Sequence, residues 1–193
     1  MKSVFRSWAK AFLRSASLDW RETGRRIANR IRALDGYGEA RVLCGFLAFR
    51  QEPDLSSLYD EWLSAGRGIF FPRFAAPLGQ YEMALVTDAT SQLVTGHFGI
   101  LEPAPDCPAL ALDHCRNMVW LVPGMAFSPR TGVRLGRGRG YYDRLLAGKP
   151  GLKIGVAAEG QLLDGLPSEG HDIRMDVIVT ENRTVRLPRE VIR

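Results

Sequence analysis

Between Leu121 and Leu146 the chain reads LVPGMAFSPRTGVRLGRGRGYYDRLL, and these residue types describe an anion site. Five arginines (Arg130, Arg134, Arg137, Arg139, Arg144) stand against one acid, Asp143, so the segment is locally +4. Glycines at 132, 136, 138 and 140 allow positive φ and let backbone come close to a ligand. Guanidinium forks, glycine-rich N–H groups and a helix opening near Tyr141 suit a multiply charged anion, most often phosphate. The spacing matches neither the Walker A loop nor the dinucleotide fingerprint. A solvated connector or an Arg-Gly patch for RNA would show the same composition. What speaks for an ordered site is the frame: an apolar strand precedes the loop, and Tyr141-Tyr142-x-x-Leu145-Leu146 follows it at helical spacing.

Asp143 falls in the first turn of that helix. A bare carboxylate facing phosphate would repel it, so Asp143 is either paired with an arginine or bridged to phosphate through Mg²⁺, and the second reading is favoured in this motif. Offsetting the helix dipole is its structural alternative.

The elements that must position these residues can be traced along the chain. Residues 3 to 15 have helical spacing, with Lys10 and Arg14 four apart on one side. Ser17 is the expected N-cap of a second helix, with Ile27, Ile31 and Leu34 as its stripe and an end near Asp35-Gly36. ARVLCGFLAF (40 to 49) is apolar throughout, which predicts a strand covered on both faces, followed by Glu52 and a helix through Leu55, Leu58 and Trp62. Gly68 to Pro72 predicts the next strand, stopped by the proline, with Arg73 and Phe74 on the ligand side. Met83 to Thr87 predicts an edge strand, and 95 to 103 a loop in which Phe98, between His97 and Gly99, is core or a stacking surface for a flat ring. Met118 to Val122, Lys153 to Ala157 and Val177 to Thr180 complete about six strands. Strands interleaved with helices predict one three-layer α/β/α domain over 1–193, with a mostly parallel, possibly mixed sheet.

Composition bounds the function. The chain has 193 residues, net charge +5 and pI near 9.4, a modest excess suited to anionic ligands and not demanding nucleic acid. Three cysteines, an odd and sparse set, suggest a reducing cytoplasm with no disulfide framework, and the lack of CxxC spacing speaks against zinc. No apolar run is long enough for a membrane span.

PGMAF followed by RLGRGRGYYDR resembles the motif of the 5-formyltetrahydrofolate cyclo-ligases. So do Lys10-x-x-x-Arg14, Glu52, Phe71-Pro72-Arg73, Phe98-Gly99-Ile100-x-Glu102-Pro103, and the tail Gln161…Pro167-x-Glu169…His171-Asp172…Asp176…Thr180-Glu181, in the family's order. The resemblance implies a fold similar to the NagB/RpiA/CoA-transferase group and an ATP- and Mg²⁺-dependent closure of 5-formyltetrahydrofolate to 5,10-methenyltetrahydrofolate. It implies Lys10, Arg14, Arg134, Gly136, Arg137, Gly138, Arg139, Gly140, Tyr141 and Tyr142 around ATP, with Arg137 and Arg134 acting on the transferring phosphoryl. It implies Glu52, Phe98 and Tyr142 on the folate, Asp143 on magnesium, and Asp176 as a second metal ligand. The partners so implied are small molecules, for a monomer or weak oligomer. Two departures mark the chain: Ser128 stands where the family usually has Asp, and the 128–132 loop is one residue longer. They leave room for a folate- or nucleotide-binding paralogue.

Overall fold

In the computed structural model, which describes residues 2–96, 99–109, 115–170 and 172–188, one seven-stranded sheet organises the chain. Its strands are β1 (Val42–Cys44), β2 (Ile69–Ala75), β3 (Gln80–Val86), β6 (Met118–Pro123), β9 (Leu152–Val156), β10 (Val177–Val179) and β11 (Thr184–Arg186). Their spatial order is β11-β10-β9-β6-β1-β2-β3. The five from β10 to β2 run parallel, and the edges β11 and β3 are antiparallel. Four shorter strands form two separate ladders: β4 (Leu93–Thr95) with β5 (Leu101–Pro103), and β7 (Ala126–Phe127) with β8 (Arg134–Leu135). The helices are α1 (Lys2–Ser15), α2 (Trp20–Arg32), α3 (Asp35–Gly38), α4 (Ser56–Ser64) and α5 (Tyr141–Leu146).

Alternation along β6 explains the layers. Val119 and Leu121 join the core beneath α2 and α4, with Ile27, Ile31, Leu58 and Trp62. Met118, Trp120 and Val122 face the other way, toward Leu146 of α5. A strand apolar at every position is thus covered on both faces, the three-layer arrangement expected.

The apolar run at 40 to 49 is in the sheet only from Val42 to Cys44. Gly45 N–H still donates to the Phe70 carbonyl (2.8 Å), and after it the chain is held by a phenol: the Phe46 N–H donates to Tyr59 Oη (3.2 Å), and that hydroxyl donates to the Phe46 carbonyl (2.9 Å). Pro72 does not end its strand either. The β1 register stops at Phe70, so Pro72 has only β3 as a neighbour, and its missing N–H breaks nothing on the β1 side. Thr95 and Leu101–Pro103, expected in a loop, belong instead to the β4–β5 ladder. The cap of α2 is Asp19, whose carboxylate accepts the Arg21 and Glu22 N–H groups, and not Ser17. Nor does α2 reach Gly36; it closes at Ala33.

Candidate active site

At the ends where the parallel strands finish lies a cavity of about 500 Å³. Three stretches build it: the exit from β1 (Phe46 to Glu52), the turn after β6 (Pro123 to Met125), and the Arg-Gly loop running into α5. Helix α1 closes one side and β5 another.

The loop is framed by the β7–β8 hairpin, in which Phe127 pairs with Arg134 and Ala126 with Leu135. Ser128 makes the turn: its backbone N–H donates to the Val133 carbonyl (2.9 Å) and its Oγ accepts the Thr131 N–H (3.3 Å). A hydroxyl at this position does what a short carboxylate does in such a turn, so Ser128 keeps the hairpin closed. Buried Gln161 clamps the other side, donating to the Gly124 and Met125 carbonyls.

Beyond the hairpin, Gly138 has φ 100° and Gly140, the N-cap of α5, has φ 64°. A Cβ on Gly138 would lie 3.3 Å from the Arg6 guanidinium. Gly136 is required for room and not for positive φ, since its Cβ would sit 2.9 Å from Arg134 Nη1.

Arg134 is buried; Nη2 donates to Asp143 Oδ2 (3.1 Å), its guanidinium lies 5.3 Å from the Tyr142 ring centre, and Nε has no partner. Asp143 is thus arginine-paired, the first of its two expected states. Arg137 is exposed and reaches across the mouth to Glu52, Nη2 to Oε1 at 3.1 Å. The other oxygen of Glu52 accepts the Phe49 N–H (3.1 Å). Burial pushes the Glu52 carboxyl above its ordinary range, with Arg137 and the Phe49 N–H pulling more weakly the other way. Burial also lifts the Tyr142 phenol well above its usual value, so it stays neutral. Tyr141 meets Tyr81 and Phe74 edge-on, at 5.0 and 6.4 Å between ring centres.

Of the residues expected at the site, Lys10, Arg14, Glu52, Arg134, Gly136, Arg137, Arg139, Gly140, Tyr141 and Tyr142 all line this one cavity. Gly138 lies within the loop, backed by Arg6. Phe98 is outside the described residues. Asp176, expected as a second metal ligand, is not among the residues that line the cavity. It precedes β10, and its Oδ2 accepts the Lys153 N–H (2.8 Å), tying the start of β10 to β9. Strand register fixes it there. Arg73 is likewise spent on structure, paired with Glu82 (2.6 Å) and donating to the Ala104 and Cys107 carbonyls. Among the described residues no group of three or more His, Cys, Asp or Glu could hold a metal.

Three contributors were missed. Arg6 Nε donates to the Gly136 carbonyl (3.1 Å), and Lys2 binds Asp172 (2.7 Å) and Glu169 (3.1 Å). The signal was there, because Lys2, Arg6, Lys10 and Arg14 recur every fourth residue along one helix. Glu102, on β5, is the third.

Comparison with known proteins gives the family. Residues 2–181 match the 5-formyltetrahydrofolate cyclo-ligase family. The chain belongs to that family. It is 33% identical to the 5-formyltetrahydrofolate cyclo-ligase of Mycolicibacterium smegmatis over 157 residues, 75% of this chain and 76% of that one. The Escherichia coli K12 cyclo-ligase is 30% identical over 165 residues, 84% of this chain and 90% of that one. Among solved structures, the 5,10-methenyltetrahydrofolate synthetase of Aquifex aeolicus superposes with TM-score 0.81 at 29% identity, covering 96% of this chain and 92% of its own. A cyclo-ligase is a ligase that closes a ring, and this family member has its loop, carboxylate and tyrosines around one cavity.

Proposed function

We propose that the chain converts 5-formyltetrahydrofolate to 5,10-methenyltetrahydrofolate, with ATP consumed to give ADP and phosphate. The observation that carries this reading is the meeting of Glu52 and Arg137 at one cavity, a carboxylate for a donor-rich heterocycle facing a guanidinium for a phosphoryl group.

In this reading the formyl oxygen attacks the γ-phosphorus of ATP, the bond to the β–γ bridging oxygen breaks, and ADP leaves. The activated carbon is then attacked by N10, N10 loses its proton, and the C–O bond breaks to release phosphate. No protein nucleophile is required; the work is alignment and stabilisation of spread negative charge. Arg137 holds the transferring phosphoryl. Arg134 and Arg139 support the triphosphate with the N–H groups of Gly136, Gly138 and Gly140, and Lys10 and Arg14 approach it from α1. Glu52 receives the pterin donors, and Tyr142 packs against the ring.

Magnesium fits this site in one limited way. Asp143 is a lone carboxylate, already beside Arg134, so a cation would come with the triphosphate and take most of its ligands from phosphate and water, as Mg²⁺ does in many nucleotide sites. Bound there, it would neutralise charge building on the β- and γ-phosphates. Small-molecule substrates, a cytoplasmic setting and a monomer or weak oligomer complete the reading. No helix among the described residues is long and apolar enough to cross a membrane.

The test is to follow the absorbance of methenyltetrahydrofolate after mixing the protein with 5-formyltetrahydrofolate, ATP and Mg²⁺. Product that depends on ATP supports the reading; its absence at saturating substrates overturns it.

A further inference from the structure

Arg50 stands in the wall of the cavity at φ 57°, one of two non-glycine residues in the left-handed region among those described. Residues with a Cβ seldom take that conformation, and it costs energy where they do. The turn brings Glu52 back to the start of its own segment, where Glu52 Oε2 accepts the Phe49 N–H (3.1 Å). Glycine would make the same turn without strain, so the backbone alone does not call for an arginine.

The side chain supplies a reason. Arg50 is exposed, and its guanidinium carbon lies 4.9 Å from the centre of the Phe49 ring, which also lines the cavity. A flat cation resting on an aromatic ring keeps its edge N–H groups open to an anion. Among the described residues no carboxylate pairs with Arg50 and no carbonyl takes its side-chain N–H groups. Other arginines of the cavity are engaged: Arg134 with Asp143, and Arg137 with Glu52.

Phe49 thus frames two groups of opposite charge. Its N–H holds the Glu52 carboxylate, and its ring carries the Arg50 guanidinium. The Glu52 side chain is only 17% exposed, so the acid lies inside the cavity and the cation at its mouth. A ligand matched to this pair carries N–H donors at one end and an anion at the other. 5-Formyltetrahydrofolate has that form, with pterin donors at one end and a glutamate bearing two carboxylates beyond the aminobenzoyl spacer. The triphosphate is the other anion of the proposed reaction, but its cations come from different elements, Lys10 and Arg14 on α1 and the arginines of the Arg-Gly loop.

We infer that Arg50 binds a carboxylate of the folate's glutamate tail while Glu52 receives the pterin end. The inference rests on the functional reading above and adds a residue that tells a folate from a bare pterin. Arg50 grips the substrate far from the reacting atoms and takes no part in bond making. A guanidinium suits carboxylate and phosphate oxygens alike, so the experiment must separate the two.

Three ligands are titrated separately into the full chain: 5-formyltetrahydrofolate, its derivative with both glutamate carboxylates converted to amides, and a non-hydrolysable ATP analogue. The same titrations are made on Arg50→Gly, which suits φ 57°, and on Arg50→Gln, which keeps the Cβ and loses the charge. The parent should bind the folate at least about fivefold more tightly than the diamide, the upper end for an ion pair open to water. In both variants the folate Kd should rise about fivefold, with the diamide and the analogue unchanged. The difference between parent and variants should shrink as salt is raised. Unchanged folate affinity in both variants overturns the inference. Equal weakening of folate and diamide also overturns it, since it would mark a residue that only shapes the wall, and weakening of the analogue alone would assign Arg50 to the triphosphate. A parent chain that binds neither the folate nor the diamide would instead overturn the functional reading itself.

Discussion

Arg137 Nη2 lies 3.1 Å from Glu52 Oε1, although 84 residues separate the β1 exit from the Arg-Gly loop across the sheet order β1-β6 and the β7–β8 hairpin. The pair joins the two halves of the proposed chemistry. Each oxygen of Glu52 carries one hydrogen bond here, and a carboxylate oxygen can accept a second, so Arg137 and a pterin amino group would compete for or share the same carboxylate.

Replacing Arg137 separates those halves. Arg137→Ala should lower kcat by on the order of 10²–10³-fold, the usual loss when one donor to a transition-state charge is removed. Affinity for an ATP analogue should change far less. Folate affinity should be unchanged or tighter, because the competitor for Glu52 is gone. Near-normal turnover at saturating ATP would show that another group holds the phosphoryl.

Glu52 makes a pH-dependent statement. Burial raises its folded-state pKa, so the folded chain binds that proton more tightly than the unfolded chain does. Ionisation therefore costs stability: the cost is absent below the ordinary value of 4.5, appears as pH rises through the raised pKa, and is full above it. Glu52→Gln should melt higher than the parent near neutral pH, with the gap closing toward about pH 4. The same variant should bind folate at least about tenfold more weakly. Thermal melts across pH and folate titrations check both halves.

Gly138 tests the shape of the loop. At φ 100°, and with a Cβ 3.3 Å from Arg6, alanine would be strained by about 1–2 kcal/mol. Gly138→Ala should lower the melting temperature by roughly 2–8 °C. It should also weaken ATP through loss of the aligned N–H groups. Glycine to alanine at 170, where a Cβ meets nothing within 4 Å, is the control.

Asp143 bears on magnesium. Chelation should abolish turnover while leaving folate binding intact. Asp143→Asn should raise the Mg²⁺ concentration for half-maximal turnover, without changing folate Kd. An identical Mg²⁺ dependence in the variant would confine the carboxylate to orienting Arg134.

Much of the fold was legible because burial on both faces writes itself as continuous apolar runs, as in Met118 to Val122 and Val177 to Thr180. The limits of those runs were not legible. Leu47 and Phe49 look like strand residues, yet they line a cavity, since apolarity does not distinguish a sheet from a ligand wall. Pro72 reads as a stop, but whether a proline breaks a ladder depends on which neighbour is still present, and that is tertiary information. At the site, charge and glycine spacing exposed the loop, and family likeness supplied Glu52. An acid before a strand, such as Asp176, looks the same in sequence whether it faces a metal or a neighbouring backbone N–H.

The most direct measurement follows the oxygen. With 5-formyltetrahydrofolate carrying a heavy oxygen isotope in the formyl group, the account requires one labelled oxygen in the phosphate released for each methenyltetrahydrofolate formed. Unlabelled phosphate accompanying product would show that the γ-phosphoryl never reached the formyl oxygen, and would contradict the role given to Arg137.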